Sequence, residues 1–352
     1  TIINSPLSTD LGVILLPRRA PFVFKKFDAD IQGWALAQSD FFSADDWREI
    51  QLRKLRSILT HAQNNVLYWN RLFKKIGFHP EKLTDFTEIQ KIPIIARADV
   101  KKIPIGELTA KNISSRRFIK TSTSGSTGEP LVFFHDTRDV FRRSINTYQE
   151  IRYIGLPPQE SFLVIGLGTR LDLNSTKFRV NPTDLDSEDK VGEIIKTLSG
   201  HKSFSVMTTP SYLSSFLLFC IRYNIHPKIN KIIYSGENLN SSLYKSAVDF
   251  FGCEIFSTYG TTECSLVGTQ CQLKNFHTAP WMNYIEIVKS RDGKAGRVVI
   301  THFENFAMPF IRYDIGDLGR FSNDLCSCGL STKTIELDGR DLESIRLSGG
   351  QS

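Results

Sequence analysis

The sequence predicts an α/β fold of several subdomains, with mostly parallel sheets flanked by helices and a smaller β-rich subdomain toward the C-terminus. Three observations predict it. Short apolar runs at Ser161–Ile165, Ser203–Met207 and Lys231–Tyr234 each end at Gly, Thr or Ser, with helical stretches between them. Strand followed by helix is the pattern of a parallel sheet whose faces are covered. After residue 280 the texture changes to the alternating runs Tyr284–Val288 and Arg297–Ile300 around a turn at Asp292-Gly293, which is antiparallel hairpin chemistry. Finally, 352 residues with 41% hydrophobic content, 25 Phe and 10 Tyr suffice for a sizeable core and more than one subdomain, and argue against disorder.

The elements follow in order. After an N-terminal extension over 1–43, Ala44–Asn65 reads as a helix: Asp45 and Asp46 sit at its start, and Trp47, Ile50, Leu52, Leu55, Ile58 and Leu59 recur at helical spacing. Asn70–Gly77 continues as a short helix that Gly77-Phe78-His79-Pro80 stops. Thr121–Pro130 is a hairpin-like loop of hydroxyls and glycines feeding the strand Leu131–Phe134, and Asp139–Ile154 is a helix ended by Gly155 and Pro157-Pro158. The expected organisation is a helical and α/β core over 44–270, a β-rich subdomain over 271–338, and the start of a hinge over 339–352.

Charge and cysteine content narrow the class. The net charge of +7 is dispersed, and its densest cluster, Arg48, Arg53, Lys54 and Arg56, lies on a helix whose apolar face is buried. With no zinc-finger spacing or aromatic-basic single-strand motif, nucleic acid is not the expected partner. The longest apolar run, Phe216–Ile221, falls far short of the roughly 20 residues a membrane-spanning helix needs. No signal peptide is visible, so a cytoplasmic protein is expected. Six cysteines in this length make no disulfide scaffold.

Four segments carry chemistry. In the Thr121–Pro130 loop, Ser124, Gly125, Ser126, Thr127 and Gly128 can bring amides and hydroxyls close to an anion, although a solvated turn uses the same residues. The run matches neither the P-loop nor the dinucleotide fingerprint. Ser235-Gly236-Glu237 and Tyr259-Gly260-Thr261-Thr262-Glu263 follow apolar runs, so both can reach the same sheet edge. Tyr259 offers a flat face to a base and Glu263 a hard oxygen to Mg²⁺, or Glu263 is simply a carboxylate at a helix start. Asp317, between Gly316 and Gly319, is expected to be exposed and able to accept from vicinal hydroxyls; Gly-Asp also makes ordinary turns.

The cysteines provide a separate signal. Cys271 and His277 precede Cys326-Ser327-Cys328-Gly329 by about fifty residues, and three sulfurs with one imidazole complete a tetrahedral structural Zn²⁺ set with no open position. The Cys-x-Cys pair is tighter than the usual knuckle, and buried free thiols are the alternative.

In order and wording, Thr123–Gly128, Ser235-Gly236-Glu237, Tyr259–Glu263, Tyr313–Asp317 and Gly339-Arg340 resemble the motifs of adenylate-forming enzymes. The whole stretch from about residue 45 to 350 resembles the phenylacetate-CoA ligase branch, capsule-biosynthesis members included. Tyr68-Trp69-Asn70, Ile92-Pro93-Ile94 and Ala307–Tyr313 support the likeness. The resemblance implies that a carboxylic acid attacks the α-phosphate of ATP and that coenzyme A, or another nucleophile forming an amide or ester, displaces AMP. A nonenzymatic nucleotide-binding core that needs a partner is the other class.

The same resemblance assigns Ser124, Thr127 and their loop amides to the β- and γ-phosphates, and Gly236 and Glu237 to the adenine pocket. Tyr259, beside Gly260, packs on the base, Thr262 contacts the α-phosphate, Glu263 binds Mg²⁺, and Asp317 with Arg340 holds the ribose. It also implies a Cys and His before the β strands and a Cys-x-Cys-Gly after the ribose aspartate. The family often forms homodimers, while no coiled-coil seam appears here. Two departures stand out: Glu129 takes the place where relatives usually carry Lys, and the family's small C-terminal domain, with its catalytic lysine, falls beyond the hinge at 339–352.

Overall fold

The computed structural model of the chain describes residues 42–123, 130–157, 159–166, 177–289, 295–322 and 324–340. Residues 1–41 of the N-terminal extension, the loop residues 124–129, the expected turn at Asp292-Gly293 and the hinge after Arg340 lie outside them.

Two helices open the described chain, α1 (Ala44–Asn65) and α2 (Leu67–Ile76). Ser43 caps α1 in a reciprocal box: its hydroxyl accepts from Asp46 N at 3.2 Å while the Asp46 carboxylate accepts from Ser43 N at 2.7 Å. Two otherwise orphaned donors are thereby satisfied. Helix α2 ends at Gly77, whose φ of +63° is the left-handed cap that glycine adopts without a Cβ penalty. Leu55, Ile58, Leu59 and Ala62 of α1 and Trp69 and Phe73 of α2 are buried in the larger core cluster, where trimming Phe73 to Ala costs about 3–5 kcal/mol.

Next come β1 (Ile95–Ala96), α3 (Arg97–Lys102), α4 (Ile105–Leu108) and an antiparallel hairpin of β2 (Phe118–Ser122) and β3 (Val132–Asp136). This hairpin flanks the expected anion loop. Helix α5 (Thr137–Tyr153) follows. Then β4 (Phe162–Ile165), β5 (Lys177–Val180), α6 (Val191–Ser199), β6 (Phe204–Thr208), α7 (Pro210–Arg222), β7 (Ile229–Tyr234), α8 (Ser241–Phe251) and β8 (Glu254–Thr261) alternate strand and helix. The remaining strands are β9 (Ser265–Gln270), β10 (Phe276–Thr278), β11 (Asn283–Lys289), β12 (Gly296–His302), β13 (Tyr313–Phe321) and β14 (Thr334–Arg340).

All but β2 and β3 form one twelve-stranded sheet, in the order β11-β12-β13-β14-β10-β9-β8-β7-β6-β4-β5, with β1 beside β13. The strands β5, β4, β6, β7 and β8 are parallel, and their core draws on Ile194 and Leu198 of α6 and Leu213 and Phe216 of α7. Beyond β8 the pairing turns antiparallel. The antiparallel portion thus begins at the β8–β9 pair, before residue 280. Strand β8 belongs to both patterns, and Gly260 accommodates the join: a Cβ there would lie 2.5 Å from the Ser265 carbonyl oxygen.

Among the described residues no helix is long and apolar enough to cross a membrane.

Candidate active site and metal centre

Strand β8 delivers Tyr259 and the turn after it to the rim of β13. In a flat sheet, strands separated by three others stand about 19 Å apart, yet the Tyr259 hydroxyl donates to Asp317 Oδ2 at 2.5 Å. The antiparallel portion must therefore curl until β13 faces β8. A second cross-link repeats the geometry: the Tyr313 hydroxyl donates to Glu263 Oε1 at 3.1 Å. On the far side of Asp317, Arg340 occupies the register position directly opposite in β14, and its Nε donates to Asp317 Oδ1 at 3.0 Å.

This curl corrects one expectation. Asp317 is not exposed; only 8% of it meets solvent, and Tyr313–Asp317 runs as strand rather than turn. Burial pushes the Asp317 carboxyl up, against the Tyr259 hydrogen bond and the Arg340 charge that pull it down. Burial, with the neighbouring Asp317 charge, likewise keeps the Tyr259 phenol protonated and donating. Glu263 is also not at a helix start. It is a buried residue of the tight turn joining β8 to β9, while Thr262 beside it is exposed. Thr261 Oγ1 accepts from Cys264 N at 2.9 Å and closes the turn.

The Gly236-Glu237 turn leaves the C-terminal end of β7, the edge where ligands of parallel sheets sit. Glu237 is exposed, and its carboxylate accepts from Ser211 N at 3.1 Å and Ser211 Oγ at 2.5 Å, at the start of α7. Ser124, Gly125, Ser126, Thr127, Gly128 and Glu129 lie outside the described residues, but both feet of their loop are placed. Thr123 N donates to Leu131 O at 3.1 Å, and Arg97 Nη2 donates to Thr123 Oγ1 at 2.5 Å. Arg97 was missed in the sequence; a cation twenty-six residues before the loop's foot carries no local signal.

A buried polar knot behind the Thr262-Glu263 turn was missed as well. Asp139, on α5, is fully buried; Oδ2 meets His135 Nδ1 at 2.5 Å and Arg143 Nε at 3.0 Å, and Oδ1 meets His302 Nε2 at 3.1 Å. Burial works against its charge, but Arg143 and hydrogen bonds from His135 and His302 hold the Asp139 carboxyl well below the usual carboxylate range.

The cysteine set converges. Ligand atoms of Cys271, His277, Cys326 and Cys328 all lie within 4.8 Å of one another. Cys271 Sγ and Cys326 Sγ stand 3.8 Å apart, far beyond a disulfide bond. That spacing equals the edge, about 3.8 Å, of a tetrahedron with Zn–S bonds of about 2.3 Å. Nδ1 of His277 faces the Thr332 carbonyl oxygen at 3.0 Å, and Nε2 lies 3.2 Å from Cys328 Sγ. An Nδ1–H donating to that carbonyl leaves the Nε2 lone pair aimed among the sulfurs, as in structural metal sites. Burial lowers the His277 pKa, which favours the neutral ligand form. Cys220, Cys253 and Cys264 are buried free thiols elsewhere.

A separate cleft of about 700 Å³, lined by Arg48, Phe86, Tyr284 and Lys333, contains none of Tyr259, Glu263 and Asp317.

No protein-family model matches the chain. It is 25% identical over 300 residues to a phenylacetate-coenzyme A ligase of Aromatoleum evansii, covering 79% of this chain and 67% of that one. It is 26% identical, with the same coverage of 79% and 67%, to a phenylacetate-coenzyme A ligase of Pseudomonas putida. In structure it matches a 2-hydroxyisobutyryl-CoA ligase in the postadenylation state with a TM-score of 0.70 at 16% identity, over 96% of this chain and 74% of that one. The chain therefore shares the fold of this CoA ligase. In sequence it is similar to the phenylacetate-coenzyme A ligases.

Proposed function

We propose that this chain carries the nucleotide- and acid-binding part of an enzyme that activates a carboxylic acid with ATP as an acyl-adenylate and passes the acyl group to coenzyme A. One observation carries the reading: Tyr259 and Glu263 on one side and Tyr313 and Asp317 on the other, from strands far apart in sheet order, are tied together by the Tyr259–Asp317 and Tyr313–Glu263 bonds. The names and fold of the relatives support the same chemistry.

In this reading Tyr259 lies against adenine, with Gly236, Glu237 and Gly260 completing the pocket. Asp317, steadied by Tyr259 and Arg340, accepts from the ribose hydroxyls. Thr262 donates to the α-phosphate and Glu263 is the Mg²⁺ ligand. Magnesium, when bound, neutralises phosphate charge that would otherwise repel the incoming carboxylate. Ser124, Gly125, Ser126, Thr127 and Gly128 cradle the β- and γ-phosphates, with Arg97 at the loop's foot adding the positive charge that Glu129 does not. Holding acid and α-phosphorus together removes much of the entropic barrier, and donors fixed before reaction stabilise charge as it develops. Cys271, His277, Cys326 and Cys328 hold a structural Zn²⁺.

Pyrophosphate release measured with a panel of aliphatic and aromatic carboxylic acids tests the proposal. Release that depends on one class of acid, followed by thioester formation when coenzyme A is added, is expected. ATP binding by the full-length protein without release for any acid overturns it.

A further inference from the structure

Arg143 joins the buried knot to the turn carrying Thr262 and Glu263. Its Nη1 donates to the Thr262 carbonyl oxygen at 3.0 Å and its Nη2 to the Glu263 carbonyl oxygen at 3.2 Å, while Nε is held by Asp139 at 3.0 Å. We propose that Arg143 is a positioning residue for the metal–phosphate end of the site, clamping two successive carbonyls of the Thr262-Glu263 turn against the buried Asp139–His135–His302 knot. The inference rests on the proposed role of Glu263.

The clamp is rigid for identifiable reasons. A planar guanidinium presents its donors in a fixed fork, so one group spans both carbonyls and the carboxylate. Asp139 is anchored beyond Arg143, because His135 contacts its Oδ2 and His302 its Oδ1, and Asn283 Oδ1 in turn sits 2.8 Å from His302 Nδ1. Asn283 is itself fixed, donating to the Leu266 carbonyl oxygen on β9 at 2.6 Å. The Glu263 carboxylate is steadied independently by the Tyr313 hydroxyl. Backbone and side chain of Glu263 are thus held by separate groups, and neither Arg143 nor Asp139, His135 and His302 need touch the nucleotide.

Arg143→Lys keeps a positive charge beside Asp139 but cannot reach both carbonyls. Calorimetry would compare the affinities of the wild-type chain and the variant for ATP with Mg²⁺ and for ATP in EDTA, at a temperature where circular dichroism shows both folded. Loss of an outer-shell partner typically costs about 10–100-fold in metal-dependent function, so the Mg²⁺-dependent gain in ATP affinity is expected to fall by at least about tenfold while affinity in EDTA changes by less than about twofold. A residue that merely stabilised the fold would shift both affinities together or neither, and either result overturns the proposal with the proposed function intact. If the wild type binds ATP no better with Mg²⁺ than in EDTA, the assignment of Glu263 itself fails and the clamp fails with it. Should Arg143→Lys not fold, Arg143→Gln, which also keeps hydrogen-bonding capacity, is judged by the same pair of affinities.

Discussion

Removing one sulfur from the Cys/His cluster, by Cys326→Ser, tests the zinc assignment. The structure sets the magnitude. Two thiolates at the 3.8 Å Cys271–Cys326 spacing repel by about 4 kcal/mol at an effective dielectric constant near 20, a cost that a bound cation offsets. Burial, with Cys326 and Cys271 nearby, pushes the Cys328 thiol up to about 12. Zinc must displace that proton, and each proton released lowers the affinity about tenfold for every pH unit of acidification.

Elemental analysis of the purified chain is expected to find one zinc, and X-ray absorption to find sulfur at about 2.3 Å and nitrogen at about 2.0 Å. Chelation of the native chain should free the only partly buried Cys326 of the cluster to react quickly, while the buried Cys220, Cys253 and Cys264 stay slow. Cys326→Ser should lose the metal and loosen the β10–β14 pairing, where Phe276 faces Ile335 and His277 faces Thr334. A chain purified from zinc-replete medium that holds no metal, with Cys326 reacting freely before chelation, refutes the assignment.

Tyr259→Phe keeps the ring but strips the donor from Asp317, which on the scale of a lost buried hydrogen bond weakens ATP binding by about 1–2 kcal/mol, or fivefold to thirtyfold, by calorimetry; an unchanged affinity removes Tyr259–Asp317 from the ribose site. Because burial raises the Asp317 pKa, wild-type ATP affinity should begin to decline on acidification at a higher pH than an ordinary carboxylate titrates, and Asp317→Asn should abolish that limb. Asp139 has the opposite sign. Its depressed pKa contributes stability that is present above the unfolded value of about 3.9 and lost as pH falls through the lower folded value. Asp139→Asn, which strands Arg143 against a neutral amide, is expected to cost about 3–5 kcal/mol in denaturant unfolding, and a cost under about 1 kcal/mol would show that the knot is not an energetic unit. Gly260→Ala drives a methyl to 2.5 Å from the Ser265 carbonyl oxygen; the join between the two pairing patterns must open, and both melting temperature and ATP affinity should fall.

Local pattern reached far into this fold. The expected Ala44–Asn65 helix has the same limits in the structure, because its caps and apolar spacing are both local. The strands expected at Ser161–Ile165, Ser203–Met207 and Lys231–Tyr234 occupy Phe162–Ile165, Phe204–Thr208 and Ile229–Tyr234. What local pattern did not hold was curvature. Asp317 reads as exposed because Gly-Asp-Leu-Gly is turn-rich, and only the curl of β13 toward β8 buries it. Glu263 reads as a metal-type carboxylate or a carboxylate at a helix start, and it is the pairing of β9 with β8 that puts it in a turn between strands. The knot was invisible for a related reason. His135, Asp139 and Arg143 share one helix and its approach, but His302 joins them from 163 residues away.

The unbroken ladder from β5 to β11 limits how this molecule can accommodate a guest. Two lobes joined by a flexible strap can shut like a jaw; here every strand from one margin to the other is tied to its neighbours by main-chain hydrogen bonds, and parting them anywhere strands donors and acceptors away from water. Adjustment around an incoming molecule therefore falls to the loops where strands end, and within the described chain the breadth of the sheet serves as an anvil.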